Sequence, residues 1–398
     1  MNGTKSDYSF NESIILQHVG RTKIANPDSV NLSFGFPAPD LLPIEALNHA
    51  ASAALIRDNV DALHYTGGKG PELVKRWMLQ RLRKFGIEAD EDCYLAVYGA
   101  NQGIELAARV LLNPGETVWV EASTYFNALH MFRYAGAEIE GFPVDHDGLD
   151  VDRVESALKQ AVQSGGALPK FIYVMPNFQN PTGASMPLER RRRLAELAKY
   201  YNIFILEDDA YGELRFEGAH LPSVYSFAPE RVIYLGTFSK TLGPGLRLGS
   251  VIAPNEVIRR MRCLTLDSPP SPVTQEILGW LLYNYDYDAQ IERLNSRYRA
   301  RRDAMTDAVR SEFGDAAAYT RPEGGFFLWL AFPRETDAGQ LHRLAEDRGV
   351  SVVPGNPFYA AGGNSPFIRL CFSYCGESEI KRGVKLLGQA YFEHLNKL

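Results

Sequence analysis

The sequence predicts an α/β protein with a large, mostly parallel sheet followed by a smaller α+β unit, and three observations predict it. Between about Glu91 and Gly249, short runs rich in Val, Ile, Tyr and Phe alternate with helical stretches, as strands buried on both faces and joined by crossover helices do. From about Asp288 the texture changes to one long helical stretch followed by strands and helices in close succession. Small polar residues and glycines gather directly after the apolar runs, at what would be the carboxyl ends of the strands.

Taken in order, "CYLAVYG" reads as a strand followed by the helix "NQGIELAARVLL", and "TVWVEA" as a strand followed by "YFNALHMFRYAG". The runs "KFIYVMP", "NIFILED" and "RVIYLGT" supply three more strands. In "SMPLERRRRLAELAKYY", Ser185 suits a cap, Pro187 a first helical turn, and Leu188, Leu194 and Leu197 mark an apolar stripe, so Arg190 to Arg193 read as a solvated face. The second unit holds the helix "QIERLNSRYRARRDAMTDAVRSEF", the strand "GGFFLWLAF", a helix near "DAGQLHRLAEDRG", the strands "VSVVPG" and "FIRLCFS", and a terminal helix. These textures divide the chain into an N-terminal segment of residues 1–40 expected to pack on the small domain, a large domain of 41–287 and a small domain of 288–398.

Bulk properties narrow the function. The 398 residues are 45% hydrophobic and 23% charged, an ordinary globular balance. A net charge of -6 leaves no basic footprint for nucleic acid or an anionic membrane. No apolar stretch approaches the roughly 18 residues that span a bilayer. The N-terminus is polar and lacks the pattern of a signal peptide, and the four scattered cysteines suit a reducing compartment, so the expected location is the cytoplasm. Cys371 and Cys375, with no second pair or nearby histidine, read as small packing residues.

The strand ends carry the chemistry. After the first strand, Gly99, Ala100, Asn101, Gln102 and Gly103 open a helix whose unpaired N–H groups suit an anion such as phosphate. After the second come Thr124 and Tyr125, after the third Asn180 in "NFQNPTG", and after the fourth Glu207, Asp208, Asp209 and Tyr211. Three successive carboxylates ending a buried strand are costly unless positive charge or donors meet them. The fifth strand delivers Thr237, Ser239 and Lys240, with Arg247 beyond a Gly/Pro segment. "GTFSKT" ends in Lys-Thr like an ATP-binding loop, but that loop needs glycine where Ser239 stands. One rim thus gathers a phosphate cradle, an aromatic, an amide, a carboxylate, a phenol, an amine and a guanidinium. Pyridoxal 5'-phosphate needs this set: a lysine for its aldehyde, a carboxylate for its ring nitrogen, and hydroxyls, N–H groups and arginine for its phosphate.

The segments "QNPTG", "EDDAYGEL" and "GTFSKTLGPGLRLG", in that order, resemble the fold type I pyridoxal phosphate enzymes, specifically the class I and II aminotransferases. The likeness runs from "LSFGFPAPDLLP" to the last strand and is nearest the branch of the 2-aminoadipate aminotransferases and the MocR regulators. The resemblance implies a seven-stranded, mostly parallel sheet and ping-pong transfer of an amino group between an L-amino acid and a 2-oxo acid. It implies that Lys240 forms the Schiff base and moves the proton, and that Asp208 pairs with the ring nitrogen, Asp209 being the alternative. Tyr211 and Asn180 would bond the phenolic oxygen, and Tyr125 would stack on the ring. Ala100, Asn101, Gln102, Thr237, Ser239 and Arg247 would hold the phosphate, and Tyr65 in "LHYTGGKG" would reach the phosphate of a second subunit in a homodimer. Arg369 would grip the substrate carboxylate, with the backbone N–H of Gly35 approaching the same group; a structural ion pair is the other account of Arg369.

Other outcomes of the same cofactor chemistry, namely decarboxylation, elimination or oxidation, stay open from sequence, as does a non-catalytic sensing domain of the MocR type. About thirty polar residues precede "LSFGFP", where those regulators carry a DNA-binding domain, which favours an enzyme. Ile14, Ile15 and Leu16 lean towards an apolar or aromatic substrate, although Arg21 or Lys23 could serve an acidic one.

Overall fold

A computed structural model describes residues 28–56, 60–64, 72–265, 269–363 and 365–396 of the chain. Tyr65 and residues 1–27, with the Ile14–Leu16 stretch, Arg21 and Lys23, lie outside the described residues.

Each apolar run of the first unit is a strand: β1 (Tyr94–Val97), β2 (Thr117–Glu121), β4 (Phe171–Val174), β5 (Phe204–Asp208) and β6 (Val232–Thr237). Two further strands complete the sheet, β3 (Glu138–Phe142) and β7 (Gly249–Ile252). The spatial order is β1-β7-β6-β5-β4-β2-β3, with β7 antiparallel to both its neighbours and the other adjacent pairs parallel. Every residue of β4 and β7 is buried, as strands covered on both faces require. The two strands missing from the sequence reading have separate causes. β3 is an edge strand whose Glu138 and Glu140 face water, and β7 is four residues emerging from a glycine-rich turn.

Helices α3 (Ala100–Leu111), α4 (Phe126–Tyr134), α5 (Val151–Ser164) and α6 (Leu188–Tyr201) are crossover helices, so the parallel strands all present their carboxyl ends on one rim. The expectations for α6 need two corrections. Pro187 occupies the N-cap, and Ser185 accepts a hydrogen bond from Arg215 instead of capping. Of the four arginines, Arg191 points inward and is fully buried. Its guanidinium donates to the carbonyls of Met186, Pro176 and Pro222 and to Oδ1 of Asn177. It therefore ties the helix to the segment that follows β4.

Helix α9 (Tyr287–Phe313) leads to a three-stranded antiparallel sheet of β8 (Phe327–Ala331), β9 (Val353–Pro354) and β10 (Phe367–Cys371), with β10 central. The described part of the N-terminal segment joins this unit. Val30–Asn31 pairs in parallel with Val350–Ser351, and the carbonyl of Leu32 accepts from the N–H of Cys371. No helix among the described residues is long and apolar enough to cross a membrane.

Candidate active site

A cavity of about 310 Å³ opens at the carboxyl rim of the large sheet. Gly99, Ala100 and Asn101 from the β1 to α3 turn line it, with Tyr125 and Asn127 at the start of α4, Asn180 after β4, Asp208 as the last residue of β5 and Tyr211 beyond it. Thr237, Ser239, Lys240 and Arg247 enter from the far end of β6, Gly35 and Phe36 from the N-terminal segment, and Phe327 and Arg369 from the small sheet. The fold thus brings together all the described residues expected at the site except Gln102. That side chain turns back, its Oε1 accepting from the N–H of Tyr98.

The three carboxylates ending β5 have separate fates, because adjacent strand residues point to opposite faces. Glu207 accepts from the Ser223 hydroxyl and from the N–H groups of Val224 and Tyr225. Asp209 accepts from Asn177 and from the phenol of Tyr234. Asp208 alone lines the cavity; its Oδ2 accepts from Tyr173 at 2.7 Å, while Oδ1 is buried with no partner. Burial raises Asp208 to about 6, the Tyr173 hydrogen bond and the Lys240 charge pulling the other way. An unmatched buried carboxylate oxygen is costly, so this one calls for a donor from the cavity.

The Lys240 ammonium donates to the carbonyl of Gly35 at 2.9 Å and lies 5.7 Å from the centre of the Tyr211 ring. Burial, with Arg369 and Arg247 nearby, lowers its pKa from 10.5 to about 8. Thus the carbonyl of Gly35, not its N–H, is the group engaged by a site residue. A Cβ at this position would stand 2.8 Å from Cζ of Phe327, which is why glycine is needed.

Arg369, on the central strand of the small sheet, is buried between the rings of Phe327 and Phe358, whose centres lie 4.2 and 5.1 Å from its Cζ. Nη1 donates to Oδ1 of Asn180 and Nη2 to the carbonyl of Ser33, while Nε is buried without a partner. Its two acceptors are thus an amide oxygen and a carbonyl, and no carboxylate pairs with it among the described residues.

At the other end of the cavity, Gly99 adopts φ +83° and caps α3; the N–H of Gln102 turns back to the carbonyl of Gly99, and those of Ala100 and Asn101 stand ahead of the first helical turn, where no intrahelical acceptor is in reach. Arg247 donates to the carbonyl of Tyr98 beside this turn, and Thr237 donates to the hydroxyl of Ser239. The Tyr125 phenol bridges Asn101 and Asn127.

Sequence reading missed a supporting layer. Gln179 donates to Glu121 and to the carbonyl of Ser123 and accepts from Thr182, so it braces the turn bearing Asn180. Phe327 and Phe358 flank Arg369, and Tyr173 engages Asp208. Each looked like ordinary core or turn sequence, and no local pattern marks them.

The arrangement fits pyridoxal 5'-phosphate by chemistry: an orphan carboxylate oxygen for the ring nitrogen, an amine of lowered pKa for the aldehyde, and a glycine-capped helix start beside an arginine for the phosphate. Comparison with known proteins agrees. Residues 27–387 match the family model described as aminotransferase class I and II. The chain is 35% identical to an aromatic-amino-acid aminotransferase of Thermococcus litoralis, over 94% of this chain and 90% of that one. Its fold superposes on a multiple substrate aminotransferase from Thermococcus profundus with a TM-score of 0.91, 33% identity and 98% of both chains covered. It also superposes on an α-aminoadipate aminotransferase from Thermus thermophilus complexed with N-(5'-phosphopyridoxyl)-L-leucine, with a TM-score of 0.85, 32% identity and 93% and 94% covered. The chain belongs to the class I and II aminotransferases, pyridoxal-phosphate-dependent enzymes of fold type I that move amino groups between amino acids and 2-oxo acids.

Proposed function

We propose that Lys240, Asp208, Tyr211, Asn180 and Arg369 carry the amino transfer in this chain, acting on an amino acid whose side chain is uncharged, apolar or aromatic. The observation that carries the reading is Oδ1 of Asp208, a buried oxygen without a partner in the wall of the cavity that holds the Lys240 amine. When bound, the cofactor supplies an aldehyde carbon for amine exchange and a ring that accepts the electron pair left at the substrate Cα. Asp208 holds a proton at the ring nitrogen. Lys240, readily neutral because of its burial, is the base that carries the proton between the substrate Cα and C4'. Asn180 spends Oδ1 on Arg369, which leaves its NH₂ group to donate, with Tyr211, towards the phenolic oxygen.

The phosphate is assigned to the N–H groups of Ala100 and Asn101 with Thr237, Ser239 and Arg247; Gln102 has its N–H on the carbonyl of Gly99 and its Oε1 on the N–H of Tyr98. Tyr125 is assigned to the ring face, and Arg369 to the substrate carboxylate through its unpartnered Nε edge. Gly35 is assigned to the same group, its lack of a side chain letting the backbone and its N–H come close to the substrate carboxylate.

Phe36, Phe126 and Phe327 line the cavity, and its lysine and arginine residues among the described residues are Lys240, Arg247 and Arg369, each already assigned; this supports an uncharged side chain. A homodimer with Tyr65 completing the neighbour's phosphate site belongs to the same reading. Support comes from Ile44, Leu55, Leu73 and Tyr283, exposed apolar side chains on α1 (Ile44–Ile56), α2 (Glu72–Leu82) and α8 (Pro272–Asn284), helices that pack together. Within the division at residues 40 and 287, the pairing of Val30–Asn31 with Val350–Ser351 supports packing of the N-terminal segment on the small domain, and four free thiols are in keeping with a reducing cytoplasm.

The test loads the purified protein with pyridoxal 5'-phosphate and adds single amino acids without an acceptor. Leucine, phenylalanine or a similar donor should shift the visible absorption to shorter wavelength, and 2-oxoglutarate or pyruvate should restore it. Release of CO₂ or ammonia in place of a 2-oxo acid, or a response confined to acidic donors, would overturn the reading.

A further inference from the structure

Tyr173 stands on β4, beside β5 in the middle of the large sheet, and is fully buried. Its phenol donates to Oδ2 of Asp208 at 2.7 Å. A phenylalanine would fill the same space, and the rest of β4 is Phe171, Ile172 and Val174, so packing alone gives no reason for the hydroxyl. The two strands flanking β5 each contribute one phenol, Tyr173 to Asp208 on one face and Tyr234 from β6 to Asp209 on the other. The numbers of donors differ in a way that points to a ligand. Glu207 and Asp209 are matched on both oxygens, whereas Asp208 is matched on one and left open on the other.

We propose that Tyr173 is a positioning residue for the cofactor: by donating to Oδ2 it fixes the plane of the Asp208 carboxyl, reserves Oδ1 for the ring nitrogen and stabilises the negative charge. The inference rests on the reading of Asp208 as the partner of that nitrogen. The torsion that turns a carboxyl plane is broad and soft, so a carboxylate without an anchor would present either oxygen at varied angles. Tyr173 is a stiff anchor, wedged on a central strand with its ring packed edge to face against Phe132 at 5.5 Å. A charge-assisted bond from a phenol also offsets part of the desolvation that burial imposes on Asp208.

The test uses the full-length protein freed of cofactor and titrated, without substrate, with pyridoxal 5'-phosphate and with its 1-deaza analogue, in which carbon replaces the ring nitrogen. Four proteins are compared: wild type, Tyr173→Phe, Asp208→Asn and the double variant. Wild type should prefer the natural cofactor. Tyr173→Phe should weaken the natural cofactor about tenfold and the analogue far less, shrinking that preference. In the Asp208→Asn background the same change should cost nothing further. Equal weakening of both compounds by Tyr173→Phe, or of neither, makes Tyr173 a packing residue and overturns the inference, even if Asp208→Asn abolishes the preference. If Asp208→Asn leaves the preference intact, the reading of Asp208 falls, and the inference falls with it.

Discussion

Oδ1 of Asn180 accepts a hydrogen bond of 2.9 Å from Nη1 of Arg369, linking a turn of the large sheet to the central strand of the small one across 189 residues. Each partner is aimed by the other. The guanidinium is held in line with the cavity, and the amide is fixed with its NH₂ end free to donate.

Replacing Arg369 by lysine should therefore not be conservative. A lysine offers no planar fork and cannot bridge Asn180, Ser33 and a substrate carboxylate together. We expect kcat/KM for the best amino donor to fall by roughly a hundredfold or more, most of it in KM, as steady-state kinetics would reveal. An effect below threefold would remove Arg369 from the substrate site.

Lys240→Ala should retain the fold but lose the visible absorption that a lysine-bound pyridoxal phosphate gives. Turnover should fall by about 10⁴-fold or more, since both the attachment point and the base are gone. An unchanged spectrum would refute the role of this residue.

The pH dependence of cofactor uptake follows from the lowered pKa of Lys240, about 8 in the folded chain against 10.5 for an ordinary lysine. Only the neutral amine adds to an aldehyde. A lowered pKa means that proton loss occurs earlier as pH rises, so the neutral fraction climbs through pH 8 and is nearly complete by about 9.5. Stopped-flow uptake by the cofactor-free protein should rise with a midpoint near 8; a midpoint near 10.5 would contradict the burial argument.

Arg191→Leu should destabilise the protein by roughly 3 kcal/mol or more in urea unfolding, because three carbonyls and the Asn177 amide lose their buried donor. Asn177 also holds Asp209, so the damage should spread to the end of β5 and weaken cofactor binding. A surface substitution such as Arg192→Leu, on the exposed face of the same helix, should change stability by less than about 0.5 kcal/mol.

Much of the fold and the site can be read locally. Apolar runs reveal β1, β2, β4, β5 and β6, while Asn180, Asp208, Lys240 and Arg247 stand where strands end, because strand periodicity and turn chemistry act over a few residues. Strand parity separates Asp208 from its two acidic neighbours for the same reason. The edge strand β3 escapes notice because half its surface faces water and its glutamates resemble loop sequence.

What the chain alone determined is which residue types reach the rim and in what order, since these follow from short-range pattern. Only the tertiary structure decided that Arg191 is buried while Arg192 and Arg193 stay exposed, that Gly35 offers Lys240 a carbonyl, and that Asp208 has one oxygen matched by Tyr173 and one open. The physical reason is that a buried polar group must find a partner, and in this fold such partners come from other strands and loops, from five residues away for Arg191 to 205 for Lys240, brought within reach by packing.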